Sequence, residues 1–219
     1  KNQERLPKRW CNVRISVTTI ESYRRYLIGI DNEEKLIESI TKRSPPTINM
    51  QRGTAFHSIL EEPEYHYNLD TGNYICNGIE FDFDIVMKCK AEIDYTGLFE
   101  IKHTKVYEVA KERITVVGKC DQLIGTTVIE NKTKWATFDI DSYQQSYQWR
   151  LYLDMFFVDS VKYNVFCMSA LQDGIRLNSI EKFTMHPYLN LESDVKKMIA
   201  SFVDYIHFRG LEQFFQENT

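Results

Sequence analysis

Asp121, Glu130 and Lys132 are the residues of this chain whose types and spacing could do chemistry together. They lie in Gly118-Lys119-Cys120-Asp121-Gln122-Leu123-Ile124-Gly125-Thr126-Thr127-Val128-Ile129-Glu130-Asn131-Lys132, where two β-rich runs flank Gly125-Thr126. Glycine at the first central position suits a two-residue type II′ turn. Counting outward from it, Ile124 faces Thr127, Leu123 faces Val128, Gln122 faces Ile129 and Asp121 faces Glu130. Opposed residues share a face, with Cβ atoms ~4.5–5.5 Å apart, and residues two apart on a strand also share one. The three side chains are therefore expected to project together. Two opposed carboxylates repel unless something binds them, and hard oxygen donors suit Mg²⁺ or Mn²⁺. Lys132 beside such an ion could lower the pKa of an attacking water or stabilise charge on a phosphate. A cross-strand charge cluster on a solvated sheet face would show the same triplet, and the spacing alone leaves both readings open.

The surrounding chain must supply the elements that hold this hairpin. Ser16 or Thr18 can cap a helix through Ile20, Tyr23, Leu27 and Ile28, with Gly29 near its end. Residues 31–40 predict a second short helix, and Arg43-Ser44-Pro45-Pro46 a loop. Gly53 to Glu62 predicts a helix ended by Pro63. From Tyr74 to Lys134 the pattern is that of strands, with a turn at Asn77-Gly78 and alternation over Phe81–Ile85 and much of Val106–Leu123. Asp141 to Phe157 reads as one long helix, Val161–Met168 and Ile175–Phe183 as strands, and Asn190–Phe208 as a helix with Val195, Met198, Ile199, Phe202 and Ile206 on one face. Strands in the middle and helices on both sides predict an α/β or α+β fold with a central mixed sheet flanked by helices. One domain is expected over residues 1–219: a basic arm at 1–15, a core at 16–168, and a final strand and helix at 169–219.

Composition narrows the function classes. The 219 residues are 43% hydrophobic and 26% charged, as in an ordinary globular protein. No long uncharged apolar run occurs, so no membrane span is expected, and the basic start lacks the apolar core of a secretory signal. Five cysteines without CxxC spacing read as reduced packing residues of a cytoplasmic protein. The net charge of −4 argues against a protein that coats nucleic acid by bulk charge. It leaves room for a local basic groove around an acidic, metal-filled centre.

Asp121 followed by Glu130-Asn131-Lys132 resembles the signature of the PD-(D/E)XK nuclease superfamily. Three further segments resemble its RecB/RecE-like, phage-type exonuclease branch. Gly53-Thr54-Ala55-Phe56-His57-Ser58-Ile59-Leu60-Glu61 is similar to that branch's GxxxHxxxE helix, Gly118-x-x-Asp121 to its GxxD segment, and Gln148-Trp149-Arg150-Leu151-Tyr152 to its QxxxY motif. Each motif is weak by itself, whereas the ordered set, over roughly residues 15–168, is specific. Cys120 stands where the superfamily's proline precedes the first acid.

The resemblance implies a restriction-endonuclease-like core and hydrolysis of phosphodiester bonds in DNA. Asp121, Glu130, His57 and the main-chain carbonyl of Asn131 would hold Mg²⁺ or Mn²⁺. Lys132 and Gln148 would complete the catalytic set, with Glu61 and Tyr152 supporting it. A lone helical histidine is otherwise more often a surface or satisfied core group, and Gln148 and Tyr152 could equally form a polar seam on a packed helix. Cys167 stands alone where iron–sulfur relatives carry a C-terminal CxxC, so no cluster is expected. Without a GxxxxGK[ST] loop, any ATP-driven partner would be a separate chain.

Phosphate contacts would come from Arg52 and Lys134 beside the cleft, with Arg14, Arg24, Arg25, Lys119 and Arg150 as further candidates. Trp135 and Trp149 could stack on a base, although packing roles fit them better. The expected protein is bacterial or phage-encoded, acts in recombination or repair, and is a natural companion for a single-strand annealing protein, possible homo-oligomers included. The rivals are an endonuclease of the same superfamily, a catalytically inactive domain that binds DNA or a partner, and an unrelated β-rich binding domain.

Overall fold

The computed structural model describes residues 13–42, 45–109, 111–172 and 174–215. Strand β1 (Val13–Ser16) runs directly into helix α1 (Val17–Leu27), whose cap is Ser16: its hydroxyl accepts the N–H of Thr19 at 3.0 Å. A side-chain oxygen here takes one of the donors that a helix start leaves without an internal acceptor. Asn32 caps α2 (Glu33–Thr41) in the same way, and Thr47 caps α3 (Ile48–Glu61). Helix α3 therefore begins a full turn before the expected Gly53. Pro63 ends it by opening α4 (Pro63–His66), at a position where a missing N–H costs nothing. Arg43 and Ser44 of the expected loop, and residues 1–12 of the basic arm, lie outside the described residues.

The strand-like stretch after Tyr74 is interrupted. Strands β2 (Tyr74–Cys76) and β3 (Ile79–Phe81) form a small hairpin about Asn77-Gly78, but Phe83–Lys90 is helix α5. The Asp82 carboxylate accepts from the N–H groups of Asp84 and Ile85 at 2.9 and 3.4 Å, and Val86 and Cys89 are buried three residues apart. Five alternating residues were too few to outweigh an aspartate cap.

Strands β4 (Leu98–Val109), β5 (Glu112–Ile124), β6 (Thr127–Lys134), β7 (Ser160–Leu171) and β8 (Gly174–Met185) join β1 in one mixed sheet, ordered β1-β5-β6-β7-β8 with β4 also on β5. The β1–β5 and β6–β7 pairs are parallel and the others antiparallel. Side chains along β7 alternate between two cores. Val161, Tyr163, Val165 and Cys167 join the cluster under α1, α7 (Gln148–Phe156) and α8 (Leu191–Arg209), while Phe166 and Met168 join the cluster under α3 and α5. Helices thus cover both faces of the central sheet.

The expected long helix over 141–157 is two helices, α6 (Ile140–Gln144) and α7. The indole N–H of Trp149 donates to the carbonyls of Tyr143 and Gln144, at 3.1 and 3.3 Å. An unbroken helix would use those acceptors for the N–H groups of Tyr147 and Gln148. Trp149 is buried and anchors the break.

Candidate active site

The site forms where β5 loses its neighbour. Strand β4 accompanies β5 along its length, so β1 and β6 must share the other edge. The pairing with β1 stops at Val117 and that with β6 starts at Gln122. Between them, Gly118 to Asp121 face a fork. The hairpin register is the one counted from the turn: Ile124–Thr127, Leu123–Val128 and Gln122–Ile129 are paired, and Gly125 is the central residue with positive φ, 54°.

Past Gln122 the ladder is replaced by side chains. The Asp121 carboxylate (Oδ2) accepts the backbone N–H of Asn131 at 2.8 Å, and the Glu130 carboxylate (Oε1) accepts the backbone N–H of Asp121 at 3.3 Å. The two acids are held by each other's strands. Glu130 and Lys132 share a face, as their spacing requires, with Lys132 Nζ 2.5 Å from Glu130 Oε2. Asp121 does not simply join them on that face: its carboxylate lies in the fork, against the β6 backbone.

A paired kink produces this orientation. Cys120 and Ile101 are opposed and pack in the α7-side cluster, whereas Phe99, two residues from Ile101, packs in the α3-side cluster. Pairing skips Glu100 and Asp121, and Glu100 has φ of 57°, the left-handed region that a non-glycine residue seldom adopts. Glutamate carries no sequence signal for that conformation, so the kink was invisible beforehand.

Helix α7 closes the fork from one side. Gln148 Nε2 donates to Glu130 Oε2 at 3.0 Å and to the Tyr152 hydroxyl at 3.1 Å. Tyr152 donates in turn to the carbonyl of Lys119 at 2.6 Å, satisfying an acceptor in the unpaired stretch. The Tyr152 hydroxyl thus links Gln148 to the β5 backbone. Gly118 allows the approach, since a Cβ there would lie 3.1 Å from Tyr152 and 3.2 Å from Met155.

Helix α3 approaches from the other face. Gly53 lies against Thr133, and His57 Nδ1 is 4.0 Å from Asp121 Oδ2. Burial holds the His57 pKa below its ordinary value, against the pull of Asp121, which favours the neutral imidazole a metal ligand must be. Glu61, one turn on, makes no hydrogen bond to His57. Burial and the Asp121 charge raise its carboxyl pKa.

Glu130 is 0% exposed. Burial, with Asp121 adding to it and Lys132 opposing it, pushes its pKa up to about 7. Burial also opposes the charged form of Lys132, but the Asp121 and Glu130 charges outweigh it and raise the lysine pKa. On the far face Asn131 Oδ1 accepts from Asn164 Nδ2 at 2.9 Å, so only its main chain is directed at the fork.

The donor set fits a hard divalent cation. Two carboxylates, a neutral imidazole and a main-chain carbonyl are of the right chemistry, and the Lys132 ammonium, 2.5 Å from Glu130 and 3.7 Å from Asp121, stands in for a cation between the acids. Among the described residues no three His, Cys, Asp or Glu side chains already converge on one point. Cys76, Cys89, Cys120 and Cys167 are buried and form no disulfide.

Several expected phosphate contacts are committed elsewhere. Arg24 is 4% exposed and bound to Glu21, Arg25 pairs with Asp31, and Lys119 pairs with Glu100. Arg150 donates to the Ser146 carbonyl and lies over Trp149. Arg52 donates to Asn49 Oδ1 at 3.2 Å and its guanidinium lies 5.3 Å from the Trp135 ring centroid, on the face a base would need. Lys134 ends β6, two residues past Lys132.

No family model matches the chain, and no curated protein matches it by sequence. Among solved structures it is similar to SSO0001, at 15% identity and a TM-score of 0.53 over 92% of this chain and 81% of that one. That likeness is one of fold. Its structural neighbours also include the alkaline exonuclease LHK-Exo from Laribacter hongkongensis in complex with dAMP, at 12% identity and a TM-score of 0.48 over 89% of this chain and 88% of that one. A phage related exonuclease from Haemophilus somnus 129PT follows at 9% identity and 0.39, over 87% and 83%.

Proposed function

We propose that this chain is a divalent-metal-dependent DNA exonuclease of the PD-(D/E)XK type, acting as one domain. The observation that carries the reading is the fork itself: Asp121 and Glu130 interlocked across β5 and β6, with Lys132 between them and His57 and Gln148 closing from opposite faces. The exonuclease mode rests on the motif resemblance of the His57 and Gln148 helices.

Asp121, Glu130, His57 and the Asn131 carbonyl would hold Mg²⁺ or Mn²⁺, which supplies charge to the phosphoryl oxygen and acidity to the attacking water. The chain's own part is positioning and electrostatics. The Asp121 and Glu130 charges raise the Lys132 pKa in the metal-free site, and Lys132 would serve as a positive charge for the attacking water and the phosphate. Gln148 and Tyr152 hold Glu130 and the open β5 edge in place. Arg52 and Lys134 receive the flanking phosphates.

No helix among the described residues is long and apolar enough to cross a membrane. A cytoplasmic role in phage or bacterial recombination, beside a single-strand annealing protein, suits this chemistry. The test is degradation of linear duplex DNA and of a sealed circle with Mg²⁺ or Mn²⁺, comparing the wild type with Lys132→Ala. Loss of the linear substrate alone, reduced about 100-fold or more by the substitution, supports the reading. Cutting of the circle makes the protein an endonuclease, and no metal-dependent cleavage of either removes the nuclease reading.

A further inference from the structure

We infer that Glu21, backed by Arg24, is a positioning residue for Gln148, fixing the start of α7 so that the amide reaches Glu130. The inference rests on the nuclease reading above for its link to catalysis, but its geometry stands separately. Tyr147 immediately precedes α7 and has no side-chain cap of its own. Its N–H donates instead to Glu21 Oε2 at 2.8 Å, from a helix 126 residues away in sequence. The other oxygen, Oε1, accepts from Arg24 Nε and Nη2 at 2.9 and 2.6 Å.

A carboxylate at a helix start is favoured by the helix dipole and occupies a donor that lacks an internal acceptor. The need for one arises here because Trp149 takes the carbonyls of Tyr143 and Gln144, as described above. The Gln148 N–H is held by Ser146 Oγ at 3.1 Å. With both N–H groups of the break tied, Gln148 is the first residue of α7 and its amide falls on Glu130 and Tyr152.

Helix α1 is a rigid reference for this contact. It continues without interruption from β1, which pairs with β5, the strand carrying Asp121. Glu21 thereby connects the Asp121 strand to the Gln148 helix. A buried ion pair adds little stability over an apolar one, so the Glu21–Arg24 pair, with Arg24 almost wholly buried, is better explained by the geometry it enforces.

The experiment is a double-mutant cycle on linear duplex cleavage with Glu21→Gln, Gln148→Ala and the two combined, alongside the Gln148 side-chain amide resonances by NMR. Glutamine has one acceptor oxygen where glutamate has two, so Arg24 and Tyr147 can no longer both be served. Glu21→Gln is expected to lower kcat about 10- to 100-fold with KM little changed, to shift the Gln148 amide resonances, and to add no further loss to Gln148→Ala. Independent, multiplying losses overturn the inference. If Glu21→Gln does not fold, Arg24→Lys, which keeps the charge and loses the fork of donors, takes its place in the cycle. If the wild type cleaves no DNA, the nuclease reading fails, while unmoved Gln148 resonances overturn the positioning role by themselves.

Discussion

The Asp121 carboxylate accepts the backbone N–H of Asn131 at 2.8 Å, across a gap where a strand ladder would otherwise close. One acid therefore has two tasks: an oxygen replaces a missing ladder partner, and the group presents charge to the cleft. Asp121→Asn keeps an oxygen for the Asn131 N–H but removes the charge. The expected outcome is a folded protein whose melting temperature no longer rises with Mn²⁺, because ligand-linked stabilisation needs binding to the native state. Thermal scans with and without Mn²⁺ check this, and an undiminished shift would remove Asp121 from the metal set.

Glu130 makes the metal-free protein pH-sensitive. Its folded pKa, about 7, exceeds the ordinary 4.5, so the native state holds this proton more tightly than the unfolded chain. The resulting stabilisation is complete below about 4.5 and is lost as pH rises through about 7. Urea midpoints in EDTA should therefore fall between pH 5 and 7.5, and Glu130→Gln should flatten that slope. Metal requires the deprotonated acid, so Mn²⁺ affinity should rise over the same interval. A Glu130→Gln protein with the wild-type slope would place the titration elsewhere.

Gly118 is the contact point between the open β5 edge and α7. In Gly118→Ala the added methyl would sit 3.1 Å from Tyr152 Cε1 and 3.3 Å from Val17 Cγ2. Overpacking of this kind costs about 1–3 kcal/mol. The displacement should also separate Gln148 from Glu130, so kcat should fall by more than the folded fraction does. Parallel denaturation and cleavage assays measure both, and full activity in a stable variant would show that α7 has slack.

Glu100 holds a left-handed conformation inside a strand, opposite Asp121. Glycine adopts that conformation freely, although its own flexibility costs roughly 0.5–1 kcal/mol. Glu100→Gly should thus lie within about 1 kcal/mol of the wild type. Glu100→Val, β-branched and intolerant of positive φ, should be less stable than the glycine variant by roughly 1–2 kcal/mol and less active, since the kink orients Asp121. Equal stability of the two variants would show that the kink carries no strain.

The hairpin was legible in the sequence. Gly125-Thr126 selects a tight turn, and a turn of known length sets the register of the residues beside it, so Leu123 meets Val128 and Gln122 meets Ile129, as far as the point where the ladder stops short of Asp121 and Glu130. The Ser16 and Asn190 starts, the end of α1 near Gly29 and the Asn77-Gly78 turn followed from local preferences in the same way, because each depends on residues a few positions apart. What only the tertiary structure decided depends on distant partners. Trp149 breaks a helix by taking two carbonyls, and Asp82 claims a segment whose alternation looked like a strand. Glu100 bends β4 so that Asp121 turns into the fork, while Glu21 and Asp31 occupy two arginines that looked available for DNA. Short-range pattern sets which conformations are cheap. Which of them is adopted is settled by the buried hydrogen bonds and ion pairs made when α1, α3 and α7 close on the sheet.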